Sequence, residues 1–270
     1  MLKIASGYIE SGDLSGIRLS TRPDDLDRDI VHRLKAAGVT TVEVGAQSMK
    51  PLLLSGILRE YTPEDVVNAV SLLKTAGLVA GVHLMIGLPG ETPADPVKSA
   101  RIVASLRPDH VRVHPLLVLQ GSPLADRWRS GEYRPLSIPQ AVRRSAAMVE
   151  VFKETGVTVA RLALHPPAGG WGNRLLAGPW HPAFSELVYS FIFRRRILAA
   201  LRQVSAARDR AGNTSSRTNP AEIEIRVNPR DMSRAVGYKR MNARILKRLI
   251  AREPVYAADE KVEPGHVIVS

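Results

Sequence analysis

Gln47, Arg59 and His83 are the side chains best suited by type to grip a small polar ligand. Gln47 has two donors and an acceptor, Arg59 presents a bidentate fork that suits a carboxylate, and His83 can donate or accept. Each also has a plainer reading. A glutamine at a strand end caps backbone groups, Arg59 is a helix-surface cation, and His83, flanked by Val82 and Leu84, is a satisfied core residue. Glu43 is available as an acid or base, or it points into a polar interior. The run Gly87-Leu88-Pro89-Gly90-Glu91-Thr92 lacks the Gly-Lys-Ser/Thr of a P-loop. A tight turn that lets the backbone approach a ligand therefore suits it better than a phosphate cradle on free helix amides.

Other chemistry has little to stand on. The seven histidines show no HExxH pairing, and Ser48 lacks a G-x-S-x-G context. Cysteine is absent. That excludes disulfides, thiolate zinc sites, cysteine nucleophiles and a cysteine-held iron–sulfur cluster within these 270 residues.

The elements that must position these residues follow an alternating grammar. Strands are expected near 17–20, 40–44, 78–86, 110–114 and 157–164, with amphipathic helices between, the pattern of a parallel α/β domain. Thr62-Pro63-Glu64-Asp65 sets a hydroxyl cap, a first-turn proline and two acids at a helix start. Val66, Val67, Val70, Leu72 and Leu73 then recur at helical spacing until Gly77. Ser137-Ile138-Pro139-Gln140 is a capping-box start closed by Gly156, and the helix around 27–37 is stopped by Gly38. In such units the loops after strand C-termini hold the chemistry.

After His165 the grammar changes. Residues 166–172 read as a loop, Pro182 opens a long helix with Phe184, Leu187, Val188 and Phe191 on one face, and Arg194, Arg195, Arg196 and Arg202 follow. Residues 212–216 read as a linker, 222–227 as a strand, and 241–250 as a basic helix carrying Arg244, Lys247 and Arg248. The net charge is +12, and residues 166–270 hold 18 basic against nine acidic side chains. A basic appendage attracts phosphate-bearing partners; solvated arginine-rich helix faces are the bland alternative. The apolar stretches are too short for a membrane span and the start lacks a signal-peptide layout, so a soluble cytoplasmic protein is expected.

Four segments, in order, resemble the radical S-adenosylmethionine (SAM) core of the Elongator catalytic subunit: 17–24 (IRLSTRPD), 41–49 (TVEVGAQSM), 82–90 (VHLMIGLPG) and 108–133, which contains PDHVRVHPLLVLQGSPL. The resemblance implies an α/β fold, a partial (β/α) barrel over residues 1–165, followed by a small basic α+β extension over 166–270. It implies that Ser20, Gln47, Arg59 and His83 surround SAM, with the backbone near Val118 beside the adenine. Ser20 stands where many relatives have Glu, Arg59-Glu60-Tyr61-Thr62 where they read R-G-H-T, and His114 where Tyr is usual.

The family's chemistry is generation of a 5′-deoxyadenosyl radical from SAM by a [4Fe–4S] cluster on three cysteines that precede the first of these segments. None is present, so reductive cleavage by this polypeptide alone is not expected. An N-terminally truncated core, a cysteine-bearing N-terminal half supplied by a partner, and a non-catalytic remnant are the three explanations. The resemblance makes tRNA uridine modification the imaginable reaction, although no acetyltransferase-like segment follows the core. The rival is an RNA-interacting or scaffold module without chemistry; with 5% aromatic residues it has little to build a stacking platform from.

Overall fold

The computed structural model describes residues 2–210 and 223–270. It divides into two compact units, Met1–Pro182 and Ala183–Ser270. In chain order the first holds α1 (Leu2–Glu10), β1 (Ile17–Thr21), α2 (Arg28–Ala36), β2 (Val39–Gln47), α3 (Pro51–Ser55), α4 (Pro63–Thr75), β3 (Val79–Ile86), α5 (Asp95–Ser105), β4 (His110–Pro115), β5 (Val118–Leu119), α6 (Pro123–Arg129), α7 (Ile138–Glu154), β6 (Thr158–Leu162) and β7 (Leu175–Ala177). The second holds α8 (Phe184–Arg210), β8 (Glu224–Val227), α9 (Met232–Val236), α10 (Met241–Ile250), β9 (Val255–Ala258) and β10 (Val267–Val269).

Five strands of the first unit form one parallel sheet in the order β1-β2-β3-β4-β6. Side chains alternate across a strand, so one face and the other can differ wholly in character. Val42, Val44, Ala80, Val82, Leu84, Val111 and Val113 are buried on the face that α2, α4, α5 and α7 cover. Burying each such valine or leucine contributes roughly 1.5–3 kcal/mol. Arg18, Ser20, Glu43, His83, Arg112 and His114 occupy the alternate positions. The sheet is thus half of a barrel, dry outside under its helices and polar within.

Local chemistry sets the helix starts. Thr62 Oγ1 accepts from Asp65 N at 3.3 Å while Asp65 accepts from Thr62 N at 2.7 Å. The Ser137/Gln140 box repeats the device at α7. On α4 the buried face is Val66, Ala69, Val70 and Leu73; Val67 turns outward, 38% exposed. The helix then ends at Gly77, whose φ of +71° reverses the chain into β3. Residues 166–182 belong to the first unit, where Ala177 of β7 pairs with Val118.

In the second unit β8 is the central strand, parallel to β9 and antiparallel to β10. Phe193, Ile197, Ile225, Val227, Ala235 and Leu246 form its core. The linker read at 212–216 and the first residue of the strand read at 222–227 lie outside the described residues. No helix among the described residues is long and apolar enough to cross a membrane.

Candidate functional site

The polar face of the half-barrel is organised around Glu43, which is 3% exposed. Arg112 Nη1 approaches Glu43 Oε2 at 2.8 Å, His110 Nε2 lies 3.0 Å from Oε1, and Arg18 also pairs with Oε1. Ser20 Oγ donates to Oε2 at 3.4 Å. Burial pushes the Glu43 carboxyl upward, but hydrogen bonds from Arg18 and His110 and the charge of Arg112 outweigh it and hold it below its ordinary value. Gly81 makes room for this network: a Cβ there would collide with the His110 ring and touch Glu43.

Above this charged layer stand His83 and His114, ring centroids 4.4 Å apart and edge to face. Burial lowers the His83 pKa to about 4 and the His114 pKa to about 3. Both are neutral at neutral pH, so each ring has one donor and one acceptor nitrogen. The Nε2 atoms of both are buried without a partner among the described residues, as are Arg112 Nε and Gln47 Oε1. Buried polar atoms are nearly always paired in folded proteins. Four orphans gather on one wall, each with almost no exposed surface of its own, so a polar ligand or water in the cavity reaches them only through a small shift of these side chains.

Gln47 reaches this wall by an irregular route. The β2 register slips between Val44 and Gln47, Gln47 takes a φ of +56°, and Ser48 N donates to Ala46 O at 2.6 Å. Tyr61 Oη ties down the slipped segment by donating to Gly45 O at 2.6 Å. A β-bulge beside a site re-aims a side chain, and here it turns Gln47 into the cavity.

Two cavities, each of about 530 Å³, open on the C-terminal ends of the strands and share Gln47, Arg59 and His83. One is polar, with Ser20, Glu43, Arg112 and His114 on its walls. The other is mostly apolar, with Leu58, Met85, Leu88, Leu116 and Leu124. Ser20, Gln47, Arg59 and His83 therefore converge. The Val118 side chain is buried with Ala125 and Tyr133 and lines neither cavity, while the chain near it reaches the apolar cavity at Leu116. Arg112, His110 and Arg18 were missed from the sequence, although polar–apolar alternation in His110-Val111-Arg112-Val113-His114 could have put three cations or imidazoles on one face.

The glycine-rich turn after β3 is closed to phosphate. Glu91 accepts from Gly87 N at 2.9 Å and Leu88 N at 3.4 Å, and pairs with Arg144. Burial raises the Glu91 pKa against those bonds. Tyr133 Oη donates to Gly87 O at 2.7 Å. With the Gly87 and Leu88 amides taken, the turn serves as wall, through Leu88 and Pro89.

SAM joins a flat adenine, through a ribose, to a charged amino-acid tail, and paired apolar and polar cavities with amide and imidazole side chains shared between them fit such a molecule. A [4Fe–4S] cluster does not fit these residues: it needs thiolates, the chain has no cysteine, and the described residues contain no cluster of three His, Asp or Glu side chains able to hold a metal.

Comparison with known proteins agrees with the architecture. The radical SAM superfamily model matches residues 3–103, and the Radical_SAM C-terminal domain model matches 108–193. The tRNA uridine(34) acetyltransferase of Methanocaldococcus jannaschii is 33% identical over 182 residues, 66% of this chain and 33% of that protein. Human Elongator complex protein 3 is 29% identical over 140 residues, 50% of this chain and 26% of that protein. The chain spans about a third of the length of the archaeal acetyltransferases it matches. Among solved structures, the Methanocaldococcus infernus Elp3 lacking its N-terminus superposes with a TM-score of 0.61 at 27% identity, over 67% of this chain and 42% of that one. With two models of one superfamily end to end along the half-barrel, and Elongator-type relatives in both sequence and structure, the chain belongs to the radical SAM superfamily and carries an Elongator-like core.

Proposed function

We propose that the first unit is the SAM-binding portion of a radical SAM enzyme, and that RNA, with a tRNA uridine foremost, is its substrate. The observation that carries the reading is the pair of buried, unpartnered atoms Gln47 Oε1 and His83 Nε2 where the two cavities meet. Gln47 and His83 bond the polar atoms of the nucleoside and tail, Arg59 takes the carboxylate, Ser20 lines the polar side, and the adenine lies against Leu116 and Leu88. When bound and reduced by a cluster, SAM supplies a 5′-deoxyadenosyl radical. In this reading the thiolates come from a cysteine-bearing half beyond these 270 residues, which would cover the exposed Ile4, Tyr8 and Leu14 in and just after α1. Relatives that act on tRNA uridine 34 support the substrate class, and the setting is the cytoplasm.

The test is equilibrium dialysis of the purified chain against radiolabelled SAM. Saturable binding of one SAM per chain, with release of no 5′-deoxyadenosine under reductant, is expected. Absence of saturation up to about 1 mM, where binding free energy falls to about 4 kcal/mol, would remove the SAM reading and leave a non-catalytic RNA-interacting module, which the charge of the last third favours.

A further inference from the structure

The second unit carries a cationic turn that SAM binding does not use. From Pro229 to Arg252 the sequence has eight basic side chains and one acidic one. That acid, Asp231, is buried and holds Arg234 at 2.9 Å. Glu253, just beyond, takes Lys247 at 2.8 Å and Arg240 at 3.7 Å. Arg230, Lys239, Arg244 and Arg248 form no ion pair among the described residues. An uncompensated patch of this density attracts a polyanion.

The fold gathers these charges at one turn. β8 and β9 lie parallel and adjacent, so α9 and α10 must carry the chain from the end of one to the start of the other. Between the two helices runs Gly237-Tyr238-Lys239-Arg240, with φ of +85° at Gly237, +49° at Lys239 and +58° at Arg240. The turn is anchored from beneath. Tyr238 N donates to Ser190 Oγ at 3.0 Å, and the buried Asn242 amide donates to the carbonyls of Ser190, Arg234 and Ala235 at 2.7, 3.2 and 3.2 Å. Left-handed non-glycine residues persist only where the surroundings over-determine them, and they gather at ligand clamps. Here the clamp is cationic: Lys239 and Arg240 are exposed, and Arg244 bonds the Lys239 carbonyl.

The Gly-x-x-Arg sequence, with its last residue in the conformation glycine adopts freely, is close to the Gly-x-x-Gly loop by which KH modules hold four backbone nucleotides. Lys239 Nζ sits 5.5 Å above the Tyr238 ring, so that face is taken and base stacking is not the grip. We infer that the Gly237–Arg240 turn, with Lys239, Arg240 and Arg244, clamps the sugar–phosphate backbone of single-stranded RNA. This deepens the RNA half of the function proposed above and is independent of the SAM half.

Fluorescence anisotropy on the complete chain tests it, using a labelled single-stranded RNA of about 12 nucleotides and the duplex of the same sequence, across a salt series. The single strand is expected to bind more tightly than the duplex. Lys239→Glu combined with Arg240→Glu should raise Kd at least tenfold, by roughly the loss of two phosphate contacts, and flatten the salt slope by about 0.7 per contact. Lys239→Gln, a neutral change at an exposed position, guards against unfolding and should weaken binding in the same direction. Lys153→Glu, at an exposed position on α7 of the first unit, should leave Kd within about twofold, as expected for a charge outside the clamp. Unchanged Kd in the turn variants beside a wild type that binds would overturn the clamp, as would equal affinity for the duplex. A wild type that binds neither RNA would remove the RNA reading itself and leave SAM dialysis unaffected.

Discussion

A nearly buried carboxylate held by two arginines and a histidine is costly to break from either side. Glu43→Ala would leave Arg18 and Arg112 facing each other without a counter-charge. Both arginines are partly exposed, so the cost is that of charged hydrogen bonds lost, about 1.5–3 kcal/mol, and urea denaturation should show a loss of that order. Gly81→Ala should cost stability through the same network, because its new methyl displaces His110. The histidines give a pH signature. His83 and His114 titrate at about 4 and about 3 in the fold rather than near 6.5. Below 6.5 the unfolded chain takes up protons that the folded chain refuses, so their stabilisation is complete above that pH and is lost as pH falls toward 4. The Glu43 contribution, with its lowered pKa, is lost on the same acid side. Urea midpoints measured from pH 7.5 to 4 should fall, and His83→Gln with His114→Gln should flatten the fall.

Among the elements, the bulge at the end of β2 accepts a left-handed residue in order to set Gln47 on the cavity wall. A non-glycine residue held left-handed costs roughly 1–2 kcal/mol, and Gln47 sits at φ +56°. Gln47→Gly should therefore melt no lower than the wild type while losing SAM affinity, measured by scanning calorimetry and dialysis side by side. Thr62→Ala, which removes one half of the α4 capping box, should cost about 1 kcal/mol. These helix starts were legible because a hydroxyl, a proline and a carboxylate at fixed offsets have one economical use. The bulge was not: the expected strand stopped at 44, since Gly45-Ala46-Gln47 breaks the alternation that marks a strand. β5 and β7, at two and three residues, are too short to have a period at all. On α4, Val67 looked like core and Ala69 did not, because side-chain size suggested the face that helical geometry then assigned otherwise.

At the scale of the molecule, a five-stranded sheet with one greasy and one charged face is stable only if helices cover the first and ligand, water or protein fills the second. The parallel α/β grammar was readable from β1 to β6, since each of those strand–helix pairs repeats the same punctuation, but not in residues 166–182, which the first unit also holds. The ion network across β1, β2 and β4 was not, because it joins Arg18, Glu43, His110 and Arg112 from positions far apart in sequence. The absence of cysteine was visible at once, and its consequence is that the proposed SAM binding can be tested in this chain apart from SAM cleavage. The most direct test of the account is a SAM titration followed by long-range proton–nitrogen spectra of the histidine rings. The Nε2 resonance of His83 is expected to shift and to saturate at the same SAM concentration as in dialysis, while the exposed His32, His165 and His266 stay still. Binding that leaves His83 unmoved, or shifts confined to the exposed rings, would contradict it.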